Sequence, residues 1–268
     1  MCSWSLEPKG PRDLAEKCAA VGVRWTQLAL DPLRTGAWGV EETVSALRSA
    51  GVGIASGMMG TKGEDYSTLE TIRTTGGVRP TEHWAENRAA AEANAELAQR
   101  LRLSLVTFHA GFLPHDRRDP ERSVLLARLA EIVDLFAARG VRVGFETGQE
   151  SAATLLEALA DLRRPAAGVN FDPANMILYG MGEPLEAFDR LAPHIVQIHV
   201  KDALPAARAG EWGAEVPVGT GRARWSELAR RIVSRLPHID LMIEREAGTQ
   251  RIADICTARE LVERESAA

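Results

Sequence analysis

Short apolar runs rich in Val, Ile and Phe alternate with helix-length stretches along the whole of this 268-residue chain. The strand-like runs are Trp25–Leu30, Gly53–Gly57, Leu103–His109, Val141–Thr147, Gly168–Asp172, Ile195–Lys201 and Ile239–Glu244, with Cys2–Leu6 as a short first strand. Between them, Leu14, Cys18 and Val21 recur at helical spacing before Gly22, and Val44, Leu47 and Ala50 do so before Gly51. Six further stretches, Glu82–Arg102, Glu121–Arg139, Ser151–Leu162, Glu183–Leu191, Trp225–Leu236 and Arg251–Arg264, complete eight helices. Repeated strand–helix units predict a parallel sheet with helices outside it. Eight units in this length fit an α/β fold of one (β/α)₈ barrel spanning residues 1–268, since such barrels typically take about 250 residues. The competing doubly wound sheet carries a glycine-rich phosphate turn after its first strand, and no such turn follows Leu6.

Strand residues alternate between two faces, and here one face of each run is purely apolar. Val106 and Phe108 oppose Thr107 and His109; Val143 and Phe145 oppose Gly144 and Glu146. Val169 and Phe171 oppose Asn170 and Asp172; Ile198 and Val200 oppose His199 and Lys201; Leu241 and Ile243 oppose Met242 and Glu244. The apolar face must meet the helices, so the polar face lines the barrel. His109, Glu146, Asp172, His199 and Glu244 stand at or near strand C-termini, the end where barrel active sites lie. Carboxylates brought together in a closed space repel one another and lose hydration. A divalent cation resolves this. The oxygen-rich set Glu146, Asp172, His199 and Glu244, with its one nitrogen, suits Mn²⁺ first, with Co²⁺, Mg²⁺ or Zn²⁺ as alternatives. Ion pairing with rim arginines is the competing expectation.

Two long connections, Gly60–Pro80 and Asp202–Arg224, follow strands and so fall on the same face, where they are expected to act as lid or pocket wall. Lys201 shares the inward phase and either supplies positive charge near a substrate oxygen or phosphate or reaches solvent from the rim. Arg222 is a second cationic candidate, against a surface salt bridge. His109 is expected to bind a substrate hydroxyl or a metal-bound water rather than sit as a rim histidine. Trp4 is read as an apolar wall for a sugar ring or as a core residue, and Met58 and Met59 as wall or core.

Lys+Arg 32 against Asp+Glu 37 gives a net charge of −5, which argues against sequence-independent nucleic-acid binding. No run approaches the roughly eighteen apolar residues of a membrane helix, and charged and proline residues occupy Met1–Pro11 where a signal peptide is apolar. Three cysteines without CxxC spacing speak against a disulfide framework. A cytoplasmic protein without nucleic-acid or membrane partners is expected.

The stretches VGFETG (Val143–Gly148), NFDPAN (Asn170–Asn175), QIHVKD (Gln197–Asp202) and MIERE (Met242–Glu246), with PVGTGRARW (Pro217–Trp225) before the last helix pair, resemble a known group. It is the sugar isomerase/epimerase family of xylose-isomerase-like TIM barrels, with ketose 3-epimerases, hydroxypyruvate isomerase and inosose dehydratase among its members. The resemblance covers nearly the whole chain. It implies one divalent ion held by Glu146, Asp172, His199 and Glu244, with Glu146 and Glu244 as the base and acid on opposite sides of the substrate carbon. The implied reaction is isomerisation or epimerisation of a small keto-sugar or polyol derivative. A proton α to the carbonyl is removed, and the cation stabilises the enediolate. A dehydratase using the same enediolate is the alternative. A phosphodiesterase like endonuclease IV, which shares the superfamily, needs more metal ligands than this sequence supplies.

Ketose epimerases carry His where Asn175 stands and Arg where Pro205 stands, both contacting substrate. That leaves Asn175, with His109, Lys201, Arg222 and Trp4, as the expected substrate contacts. Relatives are often dimers or tetramers, so a homodimer or homotetramer is expected, with Trp38, Trp84 and Trp212 as candidate contact residues.

Overall fold

The computed structural model describes residues 1–208 and 210–267. Strands β1 (Trp25–Ala29), β2 (Gly53–Met58), β3 (Leu105–Phe108), β4 (Arg142–Glu146), β5 (Ala167–Phe171) and β6 (Ile195–Val200) pair in chain order, each parallel to the next. β7 (Asp202–Leu204) and β8 (Ala214–Val216) form a separate antiparallel ribbon, and β9 (Leu241–Ile243) pairs in parallel with β6. Eleven helices are described: α1 (Pro11–Ala20), α2 (Asp31–Arg34), α3 (Val40–Ser49), α4 (Leu69–Thr75), α5 (Thr81–Arg100), α6 (Pro120–Ala137), α7 (Ala152–Leu162), α8 (Pro173–Leu178), α9 (Pro184–Leu191), α10 (Trp225–Arg235) and α11 (Arg251–Ala267). Seven parallel strands inside this helical layer make a nearly closed barrel, the α/β architecture that the alternation predicts.

The expected first strand, Cys2–Leu6, is not one. Only Cys2 pairs, through a single parallel bridge to Gln27, and Ser3–Leu6 coils into a 3₁₀ turn. Serine hydroxyls take over the ladder's work. Ser3 Oγ accepts from Ala29 N–H on the β1 side, and Ser5 Oγ accepts from Arg245 N–H beyond β9, both at 2.9 Å. Short polar side chains that satisfy backbone groups locally compete with regular strand pairing. Cys2 N–H still donates to Ile243 O at 2.9 Å and Gln27 N–H to Met1 O at 2.8 Å, so Met1 and Cys2 seal the gap between β9 and β1.

The apolar strand face packs outward as predicted. Val106, Phe108, Val143, Phe145, Val169, Phe171, Ile198 and Val200 are buried with Leu129, Phe136 and Phe188 of the helices. Phe108 meets Phe145 edge-on at 5.7 Å, and Phe171 meets Phe188 at 5.8 Å. The barrel interior is instead polar and internally bonded: Ser56 donates to Gln197, Gln197 to Asn170, and Gln27 to Thr107.

Three helices that hydrophobic period does not reveal lie after strands. They are too short for a period; Thr68 and Thr71 form a capping box for α4, Asp172 caps α8 ahead of Pro173, and α2 starts without a side-chain cap but with Pro32 in its first turn. The connection Gly60–Pro80 carries α4, and Asp202–Arg224 carries the β7/β8 ribbon. Each is pinned by a backbone approach that only glycine allows. At Gly77 (φ +63°) a Cβ would lie 2.2 Å from the Ala110 carbonyl, and at Gly221 it would lie 2.2 Å from Asp202 Oδ1. Asp202 organises the second loop by accepting from the N–H groups of Ala203, Gly219, Gly221 and Ala223 at 2.9–3.0 Å.

Candidate metal centre

At the C-terminal mouth of the barrel, Glu146, Asp172, His199 and Glu244 each place one ligand-type atom within 4.8 Å of the others. Glu146 ends β4, Asp172 follows β5, His199 lies in β6 and Glu244 follows β9, so the period-two register brings all four inward. All are buried, the most exposed at 4%.

His199 Nδ1 faces Glu244 Oε2 at 3.3 Å, Glu146 Oε1 at 3.4 Å and Asp172 Oδ2 at 3.7 Å. Among the described residues it makes no hydrogen bond to any of them, Asp172 Oδ2 makes none either, and Glu244 Oε2 is met only by the ion pair with Lys201. The other ring nitrogen, Nε2, lies 2.8 Å from Gln27 Oε1 and 2.9 Å from Asn170 Nδ2. Gln27 Nε2 donates to Thr107 Oγ1 at 2.7 Å, and that hydroxyl donates onward to Met58 Sδ at 2.9 Å. This network turns the amide oxygen of Gln27 toward Nε2, an arrangement that accepts a proton from Nε2. Nδ1 faces three carboxylates, whose charge favours a proton or a cation there. Buried polar atoms are rarely left unpaired; Asp172 Oδ2 and His199 Nδ1, clustered with carboxylate oxygens of Glu146 and Glu244, suit a divalent cation. One nitrogen with carboxylate oxygens fits Mn²⁺, Mg²⁺ or Co²⁺.

The supporting contacts divide the acids. Asp172 Oδ1 accepts from Ala174 N–H at 2.8 Å and Asn175 N–H at 3.0 Å, which caps α8 and leaves Oδ2 free. Glu146 accepts from Asn175 Nδ2 at 2.9 Å and Asn170 Nδ2 at 3.3 Å, with His109 Nε2 at 3.6 Å. Glu244 Oε1 accepts from Trp4 Nε1 at 2.8 Å, and Lys201 Nζ stands 2.9 Å from its Oε2. Burial pushes Asp172 up to about 6, against the pull of Lys201. Burial also opposes the charge on Glu244, but Lys201 and His199 outweigh it and hold that carboxyl well below its usual range. For His199, the pull of Glu146 and its neighbours outweighs burial and raises the imidazole well above its usual range.

The expected substrate contacts fare differently. His109, Asn175, Lys201 and Trp4 line a cavity of about 610 Å³ over the cluster. Trp4 serves as more than the expected apolar wall, because its indole hydrogen-bonds a carboxylate. Arg222 is a correction: its side chain is exposed and does not line the cavity, since Arg222 N–H is tied to Ala203 O and the Asp202-centred loop turns it outward. Lys201 does not reach solvent; it is buried and engaged by Glu244, Glu246 and Asn175. Met58 and Met59 line the cavity. Trp212, read as a contact residue, stands in the cavity wall edge-on to Tyr179 at 5.0 Å, and Trp84 lies under Arg128.

The sequence places Asn170 on the inward face but gives it no role, and Gln27 carries no signal there beyond its strand position. Sequence reasoning also missed Glu64, Tyr66 and Glu215, which the two long connections deliver to the cavity.

The sequence model of the xylose isomerase-like TIM barrel family matches residues 15–265. A xylose isomerase domain protein from Planctomyces limnophilus is similar in structure (TM-score 0.85) and 33% identical, covering 93% of this chain and 91% of its own. A xylose isomerase-like TIM barrel protein from Mycobacterium smegmatis, solved with magnesium, has a TM-score of 0.72 at 16% identity over 98% of this chain and 91% of its own. The probable 3-DHS dehydratase of Bacillus anthracis has a TM-score of 0.71 at 18% identity over 98% and 97%. No curated protein matches. With the family model covering nearly the whole sequence, this chain belongs to the xylose isomerase-like TIM barrel family.

Proposed function

We propose that this protein is a divalent-metal-dependent isomerase or epimerase of a small keto-sugar or polyol derivative. The observation that carries the reading is the cluster of ligand-type atoms from Glu146, Asp172, His199 and Glu244, with Asp172 Oδ2 and His199 Nδ1 lacking any hydrogen bond among the described residues, buried beneath a cavity at the barrel mouth. Glu146, Asp172, His199 and Glu244 would hold the ion. When bound, it supplies positive charge to the substrate's carbonyl oxygen, which lowers the cost of removing the proton on the neighbouring carbon. Glu146 and Glu244 move that proton, one taking it and the other returning it. Trp4 and Lys201 orient Glu244, and Asn175 and His109 stand beside Glu146. These separate attachments hold two carboxylates apart around one reacting carbon.

A second reading, a dehydratase that abstracts the same proton and then expels a β-hydroxyl, is favoured by Asn175 and Pro205, which replace the His and Arg expected of ketose epimerases. Both readings share the first step. Incubating the Mn²⁺-loaded protein with a panel of keto-sugars in D₂O should exchange an α-hydrogen, and Glu146→Gln or Glu244→Gln should abolish that exchange. Normal exchange in both variants would overturn the assignment of the acid and base. Retention of the carbon skeleton and its hydroxyls separates isomerase from dehydratase.

A further inference from the structure

A cavity built for a phosphate or carboxylate offers free cations. This one does not. Among the described lining residues, Lys201 is the only lysine or arginine. An ammonium has three donors, and Lys201 directs its own at Glu246 Oε2 (2.7 Å), Glu244 Oε2 (2.9 Å) and Asn175 Oδ1 (3.4 Å). Arg245, beside the mouth, is turned to Glu215 at 2.8 Å and Asp254 at 2.9 Å. Arg222 is exposed outside the lining.

Negative charge is in surplus. Asp31, Glu64, Glu215, Glu244 and Glu246 all line the cavity. Arg34 offsets Asp31 at 2.8 Å, and Arg245 offsets Glu215. A dication among Glu146, Asp172 and Glu244 leaves one ligand charge over, which Lys201 cancels. Glu64 and Glu246 then remain uncompensated, and even a protonated His109 leaves the cavity negative. The rest of the wall suits a neutral guest. Trp4, Tyr66, Tyr179 and Trp212 present aromatic surface that fits the C–H faces of a sugar. Thr61 Oγ1 and Trp212 Nε1, both on lining residues, have no hydrogen-bond partner among the described residues.

We propose that this cavity selects uncharged polyhydroxy ketones and rejects sugar phosphates and sugar acids, with Glu64 and Glu246 as the residues that set the selectivity. This rests on the mouth being the reaction cavity proposed above. Anions brought into an enclosed space of like sign are repelled, and that repulsion is screened by salt.

Calorimetric titration of the Mn²⁺-loaded protein with D-fructose and D-fructose 6-phosphate, and with D-xylulose and D-xylulose 5-phosphate, tests it. Within at least one pair the neutral ketose should bind at least tenfold more tightly. The preference should shrink severalfold from about 0.01 M to about 0.15 M ionic strength, where the Debye length falls from roughly 30 Å to 8 Å. Glu64→Gln and Glu246→Gln should each narrow it. A phosphate ester that binds as well as its parent, a preference indifferent to salt and to both variants, or no binding of either ketose overturns the proposal. Binding and proton exchange are separate readouts. A neutral preference without exchange upholds the charge selectivity and counts against the proposed reaction alone.

Discussion

Trp4 Nε1 donates to Glu244 Oε1 at 2.8 Å, joining residues 240 positions apart in the chain. The bond exists because Ser3–Leu6 turns instead of running on as a strand, which carries the indole into the mouth. Trp4→Phe keeps the ring and deletes the donor. Groups that orient a metal ligand typically matter 10–100-fold in metal affinity or activity. The variant should fold with an unchanged circular dichroism spectrum and lose metal affinity in that range. Wild-type affinity would show that Glu244 is held in place by other contacts.

Gln27 Oε1 lies 2.8 Å from His199 Nε2, placed to accept its proton when Nδ1 holds an ion. Gln27→Leu removes the acceptor and should weaken divalent-ion binding by about 10–100-fold. Gln27→Glu retains an acceptor for Nε2–H and should bind more tightly than the Leu variant. Equal affinities in the two would contradict that placement of the proton.

An ion held by four buried groups that the unfolded chain cannot assemble stabilises the fold by mass action. At 100-fold excess over Kd the gain is about 2.7 kcal/mol, or roughly 5–10 °C in Tm for a chain of this size. Chelation should reverse it. Differential scanning calorimetry of Glu244→Gln should show a much smaller gain from Mn²⁺; a gain equal to the wild type would place the ion elsewhere.

Glu150 is buried, and burial alone pushes its carboxyl from the ordinary 4.5 up to about 8. Between those values the unfolded chain has lost the proton that the folded protein keeps. The associated stability is therefore complete below about 4.5 and lost as pH rises through about 8. At about 1.4 kcal/mol per unit, the loss is on the order of 5 kcal/mol. Glu150→Gln, which cannot ionise, should match the wild-type Tm near pH 5 and exceed it by several degrees at pH 9. Parallel Tm curves across that range would rule the effect out.

Much of this was legible in the chain. Alternation of Val143 and Phe145 with Gly144 and Glu146, repeated on later strands, identifies which face is inside, because backbone geometry alone gives a strand its period of two. The same phase places Asp172, His199 and Glu244. Cys2–Leu6 misled because serine hydroxyls stood in for strand hydrogen bonds, a substitution visible only once Ala29 and Arg245 are seen to be their partners. α2 and α8 escaped because one or two turns carry no hydrophobic period. Arg222 misled because the side-chain direction of a loop residue depends on how Asp202 gathers the loop.

The order of apolar and polar residues, acting through local dihedral geometry, determined that the chain would form parallel strands under helices and which acids would point inward. Tertiary structure alone decided how those groups are used. Closure by Met1 and Cys2, the Gln27–His199 contact and the sharing of Lys201 among Glu244, Glu246 and Asn175 join residues far apart in the chain. Such partnerships depend on strand register and loop path around a closed barrel, which no local pattern encodes.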